Sequence, residues 1–341
     1  MVNDSLIVSK KIIAAKKDLS KKYNIIRGEI RSDRALPNID ECIVYLAETM
    51  KLGSRELFID YINWSAELFT SRSCSINDLK KDLHVLIDIA TQKFKEEEVE
   101  VMKEYIEPAL KELNVNETEQ HSFLQPEKPY YNLAVDYLDI LLSADREEAY
   151  QLIKHAVEEE LAVKDIYLNV FEPVQKEIGR LWQLNEINVA TEHYCTSVTQ
   201  LIMARLYPYI LNLEENGYSA VTTCVGDELH ELGVRMIADL LEMEGWNTFH
   251  CGANTPKEDI IETIAEKEAD IVCISVTMGN HLEEANSLIE ELKKRERIET
   301  KIIVGGYPFN VQTDLWKEIG ADGYAPDAEK SVEVIQDLIE N

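Results

Sequence analysis

The sequence predicts a chain of two structural classes, an all-α region followed by an α/β domain. In residues 217–341, five short apolar runs alternate with five amphipathic helical patterns. Repeated strand–helix units of this kind build a parallel, doubly wound sheet with helices on both faces. In residues 37–216 the apolar residues recur with the period of a helix. We therefore expect a helical N-terminal domain, a four-helix bundle and a five-stranded parallel sheet.

The strands of the predicted sheet are apolar, β-branched runs that end at glycine, proline, asparagine or charged residues. They are residues 220–225, 247–251, 270–276, 301–304 and 323–325. The helical patterns that follow them are residues 234–244, 256–268, 282–296, 312–319 and 328–339. The loops at the carboxyl ends of such strands share one edge of the sheet, and open α/β sheets bind their ligands there.

The predicted four-helix bundle occupies residues 130–216. Its helical patterns are residues 130–143, 145–160, 164–184 and 189–213. Pro173 lies inside the third pattern, and we expect a kink there because proline cannot donate the helical hydrogen bond.

The preceding residues divide into a basic arm (1–36), a helical bundle of unknown sensing or output role (37–116) and a linker (117–129) that contains Pro126 and Pro129. The arm holds nine lysines and arginines against four acidic residues. It is consistent with a short helix or a solvated segment, and also with a contact for an acidic partner.

Composition limits the possible partners and the compartment. The chain has 35 basic and 64 acidic residues, for a net charge of −29, which opposes non-specific binding to nucleic acid or to an anionic membrane. It has no apolar run long enough to cross a bilayer. The six cysteines form no Cys-x-x-Cys pair, which favours a reducing, cytoplasmic compartment.

Three short motifs follow three of the predicted strands in order. Glu228-x-His230-x-x-Gly233 comes after the first strand and opens a helix. Ser275-Val276-Thr277 ends the third strand, and Gly305-Gly306 ends the fourth. Together they resemble the signature of Rossmann-like cobalamin-binding domains, Asp-x-His-x-x-Gly followed by Ser-x-Leu and Gly-Gly.

The resemblance implies a role for each of these residues. His230 would be the lower axial ligand of cobalt, oriented by Glu228, which stands where most of the family has Asp. A carboxylate bonded to a ligating imidazole fixes its tautomer and raises its basicity. Ser275 would donate to the dimethylbenzimidazole end of the cofactor, while Gly233, Gly305 and Gly306 would leave room for the nucleotide tail. Thr277 replaces the family's Leu.

A second pattern lies in the four-helix bundle, where Trp182 is followed after nine residues by Glu192-His193. It resembles the upper-face motif of light-sensing, adenosylcobalamin-dependent transcriptional regulators, in which such a bundle caps the cofactor. The resemblance implies that Trp182 holds the adenosyl group and that Glu192 contacts it or a neighbouring subunit. His193 would take the upper cobalt position after photolysis.

From these resemblances we expect a light sensor and signalling regulator rather than an enzyme, with adenosylcobalamin as the cofactor and methylcobalamin as the alternative. The helical bundle replaces the family's DNA-binding domain, so we expect a homo-oligomer or a protein signalling partner and no direct contact with nucleic acid. A second hypothesis is a corrinoid methyl-carrier subunit of a methyltransferase system. A third is a sensor that holds another tetrapyrrole, such as a bilin, in the same fold.

Overall fold

The computed structural model describes residues 2–27, 39–113, 121–210, 214–295 and 299–340. It divides into two compact units. The first comprises Met1–Glu119 with the short segments Gln183–Asn185 and Met278–Glu283, and the second comprises Gln120–Trp182, Glu186–Thr277 and Glu284–Asn341. Within the described residues, no helix is both long enough and apolar enough to cross a membrane.

The first unit is helical. Its helices are α1 (Val2–Arg27), α2 (Ile39–Lys51), α3 (Arg55–Ser71), α4 (Ile76–Thr91) and α5 (Glu96–Glu112). Ser54 and Ser75 cap α3 and α4 by accepting hydrogen bonds from backbone amides in the first turn of each helix. Its aromatic residues pack inside the unit, where the rings of Tyr45 and Tyr61 stack with their centroids 4.0 Å apart.

Helix α1 covers most of the residues that the sequence analysis sets apart as a basic arm. One face of the helix is packed, because Ile12 and Leu19 are fully buried. Lysines remain on its other faces, and Lys11 forms an ion pair with Glu98 at the start of α5. Residues 28–36 of the predicted arm lie outside the described residues.

The helical part of the second unit contains the predicted bundle. Its helices are α6 (Tyr131–Leu142), α7 (Arg146–Glu158), α8 (Val163–Ile166), α9 (Glu172–Gln183) and α10 (Val189–Leu206). A π-helical turn, Tyr167–Phe171, joins α8 to α9. The predicted third helix is therefore interrupted by a π-turn just before Pro173, and its core side chains Val170, Val174 and Ile178 are fully buried.

The sheet of the second unit has five parallel strands in the order β2-β1-β3-β4-β5. They are β1 (Ser219–Cys224), β2 (Asn247–His250), β3 (Ile271–Ser275), β4 (Lys301–Gly305) and β5 (Gly323–Ala325). The helices are α11 (Leu232–Met243), α12 (Lys257–Glu266), α13 (Leu282–Lys294), α14 (Tyr307–Val311), α15 (Leu315–Glu318) and α16 (Ala328–Glu340). The predicted fold class is confirmed.

Helix α11 joins the bundle to the sheet within the second unit. Its side chain Met236 belongs to the buried core of the bundle, whereas Val234 and Leu241 belong to the core over the sheet. Polar contacts reinforce this packing, since the Tyr167 hydroxyl donates to Asp239 Oδ2 at 2.8 Å. The helix that follows the His230 loop is therefore held from both sides.

Candidate functional site

The strand register aligns the residues that end the central strands. Cys224 of β1 pairs with Ser275 of β3, and Ser275 pairs in turn with Gly305 of β4. The order of the strands reverses between β1 and β3, because β2 lies on one side of this pair and β4 on the other. Such a switch point opens a crevice at the carboxyl edge of the sheet. The three sequence motifs therefore meet at one edge.

The loop after β1 begins with a tight turn. Gly226 has a φ of +61°, in the left-handed region that glycine adopts without strain. The amide of Glu228 then donates to the carbonyl of Val225 at 3.2 Å. This turn directs the Glu228 side chain inward, where it is only 1% exposed.

The buried carboxylate of Glu228 organises the loop through both of its oxygens. Oε1 contacts Nδ1 of the His230 ring and accepts from the His230 amide at 3.3 Å. Oε2 accepts from the amide of Thr277 at 3.0 Å. Because a carboxylate only accepts hydrogen bonds, it favours the tautomer in which Nδ1 carries the proton and Nε2 carries the lone pair. Nε2 is thus the ring nitrogen suited to bind a metal.

The contribution of Thr277 differs from the sequence expectation. The expectation concerned its side chain, which replaces a leucine of the family signature, but the contact with Glu228 is made by the backbone amide. A backbone donor is supplied by any residue except proline. The loop after β3 therefore supports Glu228 whatever the side chain at position 277.

The glycines of the motifs differ in their surroundings. Gly306 has a φ of +104°, and a Cβ atom there would lie 1.9 Å from the carbonyl oxygen of Val276. A Cβ atom on Gly305 would lie 3.0 Å from the carbonyl oxygen of Ala325. Gly233, in the first turn of α11, is exposed, and a Cβ atom there would meet no atom within 4 Å. Gly306 is needed by the fold itself, whereas Gly233 borders open space.

The thiol at the end of β1 stays neutral. Burial, together with the nearby carboxylates of Glu228 and Glu231, raises the pKa of Cys224 to about 12. Its Sγ atom donates weakly to the carbonyl oxygen of His230 at 3.6 Å. Since a thiolate and not a thiol binds metals, His230, whose side chain is 59% exposed, is the better metal ligand in this loop.

The three residues predicted for the upper face lie on two helices of the bundle. Trp182 is half-buried in the last turn of α9. Glu192 and His193 lie in the first two turns of α10, where Glu192 contacts His193 Nδ1 and accepts from Thr196 Oγ1 at 3.3 Å. The His193 side chain is 74% exposed. The structure thus pairs Glu192 with His193.

Glu231, which the sequence analysis did not single out, accepts hydrogen bonds from two residues outside the loop. Gln200 of α10 donates from Nε2 to Glu231 Oε1 at 3.1 Å, and the Ala253 amide donates to Glu231 Oε2 at 2.7 Å. Glu231 directly follows His230. Nothing in the local sequence distinguishes this glutamate from the many solvated ones, because its partners lie 31 and 22 residues away.

Two families match the second unit. Residues 218–333 match the family described as B12 binding domain, and residues 133–207 match a second family with the same description. The cofactor of these domains is cobalamin. This confirms cobalamin as the predicted kind of cofactor, whatever its upper ligand, and places the bundle and the sheet among cobalamin-binding domains. It also disfavours a bilin in the same fold.

Two corrinoid proteins are similar to this chain in sequence. A dimethylamine corrinoid protein of Methanosarcina acetivorans is 32% identical over 121 residues, which cover 35% of this chain and 55% of the relative. The chain thus spans about half the length of that relative. A corrinoid protein of Desulfitobacterium hafniense is 25% identical over 206 residues, 58% of this chain and 94% of the relative.

A solved structure shares the fold. The monomethylamine corrinoid protein of Methanosarcina barkeri matches with a TM-score of 0.55 and 19% identity, over 61% of this chain and 99% of that protein. At this level of identity the match concerns the fold alone.

The relatives correct the function predicted from the sequence. The Trp182 and Glu192-His193 pattern favoured a light-sensing regulator, but the similar proteins are named as corrinoid proteins, several of them for dimethylamine. The light-sensor prediction is therefore wrong, and the alternative of a corrinoid methyl carrier is better supported. The upper-ligand role of His193 after photolysis belonged to the rejected function.

Proposed function

We propose that this protein is a corrinoid methyl carrier, in which the His230 imidazole would supply a nitrogen ligand to cobalt. The observation that carries the ligand assignment is the contact of the buried Glu228 carboxylate with His230 Nδ1, at the switch point of a B12 binding domain. The dimethylamine corrinoid proteins among its relatives support a methyl-transfer role. A bound corrin would supply a cobalt centre that accepts a methyl group from one partner and yields it to another.

The residues present fit such a cofactor. The donor set contains one exposed imidazole that is held by a carboxylate, as expected for a single axial ligand. Gly233 borders open space beside the loop, and Gly305 adds no side chain at the sheet edge. The neutral thiol of Cys224 does not compete with the imidazole for the metal.

The chain's own residues would control the ligand rather than react. Glu228 would keep the Nδ1 proton in place and restrain the ring, so that Nε2 would be available to the metal as a neutral donor. The second oxygen of Glu228, held by the Thr277 amide, keeps this arrangement fixed to β3. Ser275 is proposed to contact the nucleotide tail, because it stands level with Cys224 and Gly305 at the edge of the sheet.

The experiment starts from the full-length protein loaded with hydroxocobalamin. We expect a stoichiometric complex whose cob(II)alamin form shows, by electron paramagnetic resonance, splitting from one axial histidine nitrogen. His230→Ala should abolish this splitting, whereas His84→Ala, an exposed histidine of α4, should preserve it. Identical spectra for His230→Ala and wild type would refute the ligand assignment.

The carrier role needs a separate measurement. After reduction with titanium(III) citrate, the loaded protein should take a methyl group from methyl iodide, and the absorption spectrum should change to that of a methylated corrin. Transfer from that form to a thiol acceptor, in the presence of a corrinoid-dependent methyltransferase, would support a carrier. A loaded protein that cannot be methylated under these conditions would refute the carrier role.

A further inference from the structure

Glu231 connects three separate elements beside the proposed cobalt ligand. It directly follows His230 and is the residue before the first turn of α11. Its Oε1 atom accepts from Gln200 Nε2 of the bundle helix α10 at 3.1 Å. Its Oε2 atom accepts from the Ala253 amide, in the loop after β2, at 2.7 Å. One carboxylate therefore joins the bundle, the His230 loop and the next strand's loop.

The surroundings of Glu231 suit a fixed side chain. Its side chain is 25% exposed, and the half-buried His250 ring lies beside it with Nε2 3.9 Å from Oε2. The His250 ring is itself held in place, because its Nδ1 atom lies 2.9 Å from Thr222 Oγ1 of β1. Hydrogen bonds to an ionised group are stronger than those between neutral groups. Both oxygens of Glu231 thus have a defined partner.

We propose that Glu231 is a positioning residue, through which the bundle helix α10 controls how firmly His230 is presented to cobalt. The inference rests on the proposed function, since it assumes a corrin below which His230 binds. Gln200 holds Glu231 when α10 is seated on the sheet domain. A displacement of α10 would remove this bond and leave Glu231 held by the Ala253 amide through Oε2, so that the backbone next to His230 would be fixed less firmly and ligation would weaken.

This coupling would link the two faces of the cofactor. A methyl carrier must expose the upper face of its corrin to partner enzymes, whereas His230 acts on the lower face. Gln200 lies on the bundle and Glu231 lies on the lower loop, and a single hydrogen bond of 3.1 Å joins them. Movement of the bundle would therefore act on His230 through the hydrogen bond between Gln200 and Glu231.

The test is a spectroscopic pH profile of the cob(II)alamin-loaded, full-length protein. Protonation of His230 competes with cobalt, so the pH at which half of the axial nitrogen splitting is lost reports the strength of ligation. Gln200→Leu keeps the size of the side chain and removes the bond. Gln151→Leu is the matched control, because Gln151 donates to Glu147 at 2.9 Å within one bundle helix and does not contact the loop.

We expect the midpoint of Gln200→Leu to rise by about one pH unit, a tenfold weaker ligation, as for the loss of one charged hydrogen bond. Gln151→Leu should match wild type. Glu231→Gln should stay close to wild type, because its amide can still accept from Ala253 and pair with Gln200. Glu231→Ala should shift the midpoint at least as far as Gln200→Leu.

The outcomes separate the two proposals. If wild type shows nitrogen splitting and Gln200→Leu has the same midpoint, the coupling is refuted while the ligand assignment stands. If wild type binds the corrin without nitrogen splitting at any pH, the ligand assignment fails first. Gln200→Ala serves as a second variant, and equal melting temperatures for the glutamine variants and wild type exclude a general loss of folding as the cause of a shift.

Discussion

The amide of Thr277 donates to Glu228 Oε2 at 3.0 Å, although the two residues are 49 positions apart in the chain. The bond joins the loop after β1 to the loop after β3 across the switch point of the sheet. The same carboxylate holds the ring of His230 through its other oxygen. Orientation of the imidazole thus depends on the sheet and not on the loop alone.

Replacing Glu228 should damage metal ligation more than corrin binding. In Glu228→Gln, the amide nitrogen can donate to Nδ1, which would move the imidazole proton to Nε2 and remove the lone pair that faces the metal. We expect about tenfold weaker ligation, as for the loss of one charged hydrogen bond. The axial nitrogen splitting of bound cob(II)alamin measures it.

Glu228→Ala should also lower the stability of the protein without corrin, because it leaves the Thr277 and His230 amides without their acceptor beside a buried side chain. Each unsatisfied donor costs about 1–3 kcal/mol of stability. Denaturant unfolding of the protein without corrin checks this. Equal stability of Glu228→Ala and wild type would show that the two amides are satisfied by water.

Gly306→Ala should destabilise the fold. Its φ of +104° and the 1.9 Å approach of a Cβ atom to the Val276 carbonyl leave no room for a side chain unless the backbone moves. We expect a loss of several kcal/mol, about 3 or more, typical of a strained or overpacked site. Gly179→Ala in α9 is the control, because a Cβ atom there meets nothing within 4 Å. A Gly306→Ala protein with an unchanged melting temperature would contradict this geometry.

Gly233→Ala should separate folding from cofactor binding. Position 233 lies in the first turn of α11 with open space around a Cβ atom, and alanine is favoured over glycine in helices by up to about 1 kcal/mol. The protein without corrin should therefore keep or gain stability, while hydroxocobalamin should bind more weakly if the nucleotide tail passes here. Binding titrations measure the difference. Unchanged affinity would place the tail elsewhere.

Stability of the second unit should depend on the protonation of Asp239. Burial raises the pKa of this carboxyl from 3.8 to about 6, against the lowering effect of the Tyr167 hydroxyl and Arg235. The folded state therefore binds more protons than the unfolded state between these values, so stability falls as the pH rises from about 4 to above 6. A rise of the Asp239 pKa by about two changes the free energy of unfolding by at most about 3 kcal/mol over this pH range.

Asp239→Asn removes this titration and keeps an acceptor for Tyr167. The difference in unfolding free energy between Asp239→Asn and wild type should therefore move in favour of the variant as the pH rises from 4 to 7. Tyr167→Phe is the companion variant, because it removes the donor at 2.8 Å and should enlarge the pH effect. A difference that is constant with pH would show that Asp239 does not titrate in this window.

The sheet was predictable from sequence because its central strands β1, β3 and β4 are largely buried and consist mostly of apolar and β-branched residues. The predicted run 323–325 matches β5, and the other four runs match the observed strands to within one residue at each end. The π-turn was not predictable, since residues 167–171 keep a helical period and only Pro173 marks the irregularity. The packing of α1 was hidden by its lysines, which flank the buried Ile12 and Leu19.

The site was predictable in part. The motif residues around His230 were found because their spacing follows strand ends. Glu231 and Gln200 were missed because only the tertiary fold brings them together. The function was misassigned because the imidazole–carboxylate pair suits a sensor and a carrier equally, and the prediction then followed Trp182 and Glu192-His193. Those three residues lie at one end of the bundle, and their pattern did not distinguish a sensor from a carrier.

The π-turn at Tyr167–Phe171 has a consequence for how related chains can diverge. Such a turn holds one residue more than the regular helix around it, whereas a length change elsewhere rotates the following side chains by about 100°. A relative lacking one residue here could keep α9 in phase, but the Tyr167 hydroxyl would turn away from Asp239. Deletion of one residue in this turn would then remove a hydrogen bond between the bundle and α11 without changing any residue of the His230 loop.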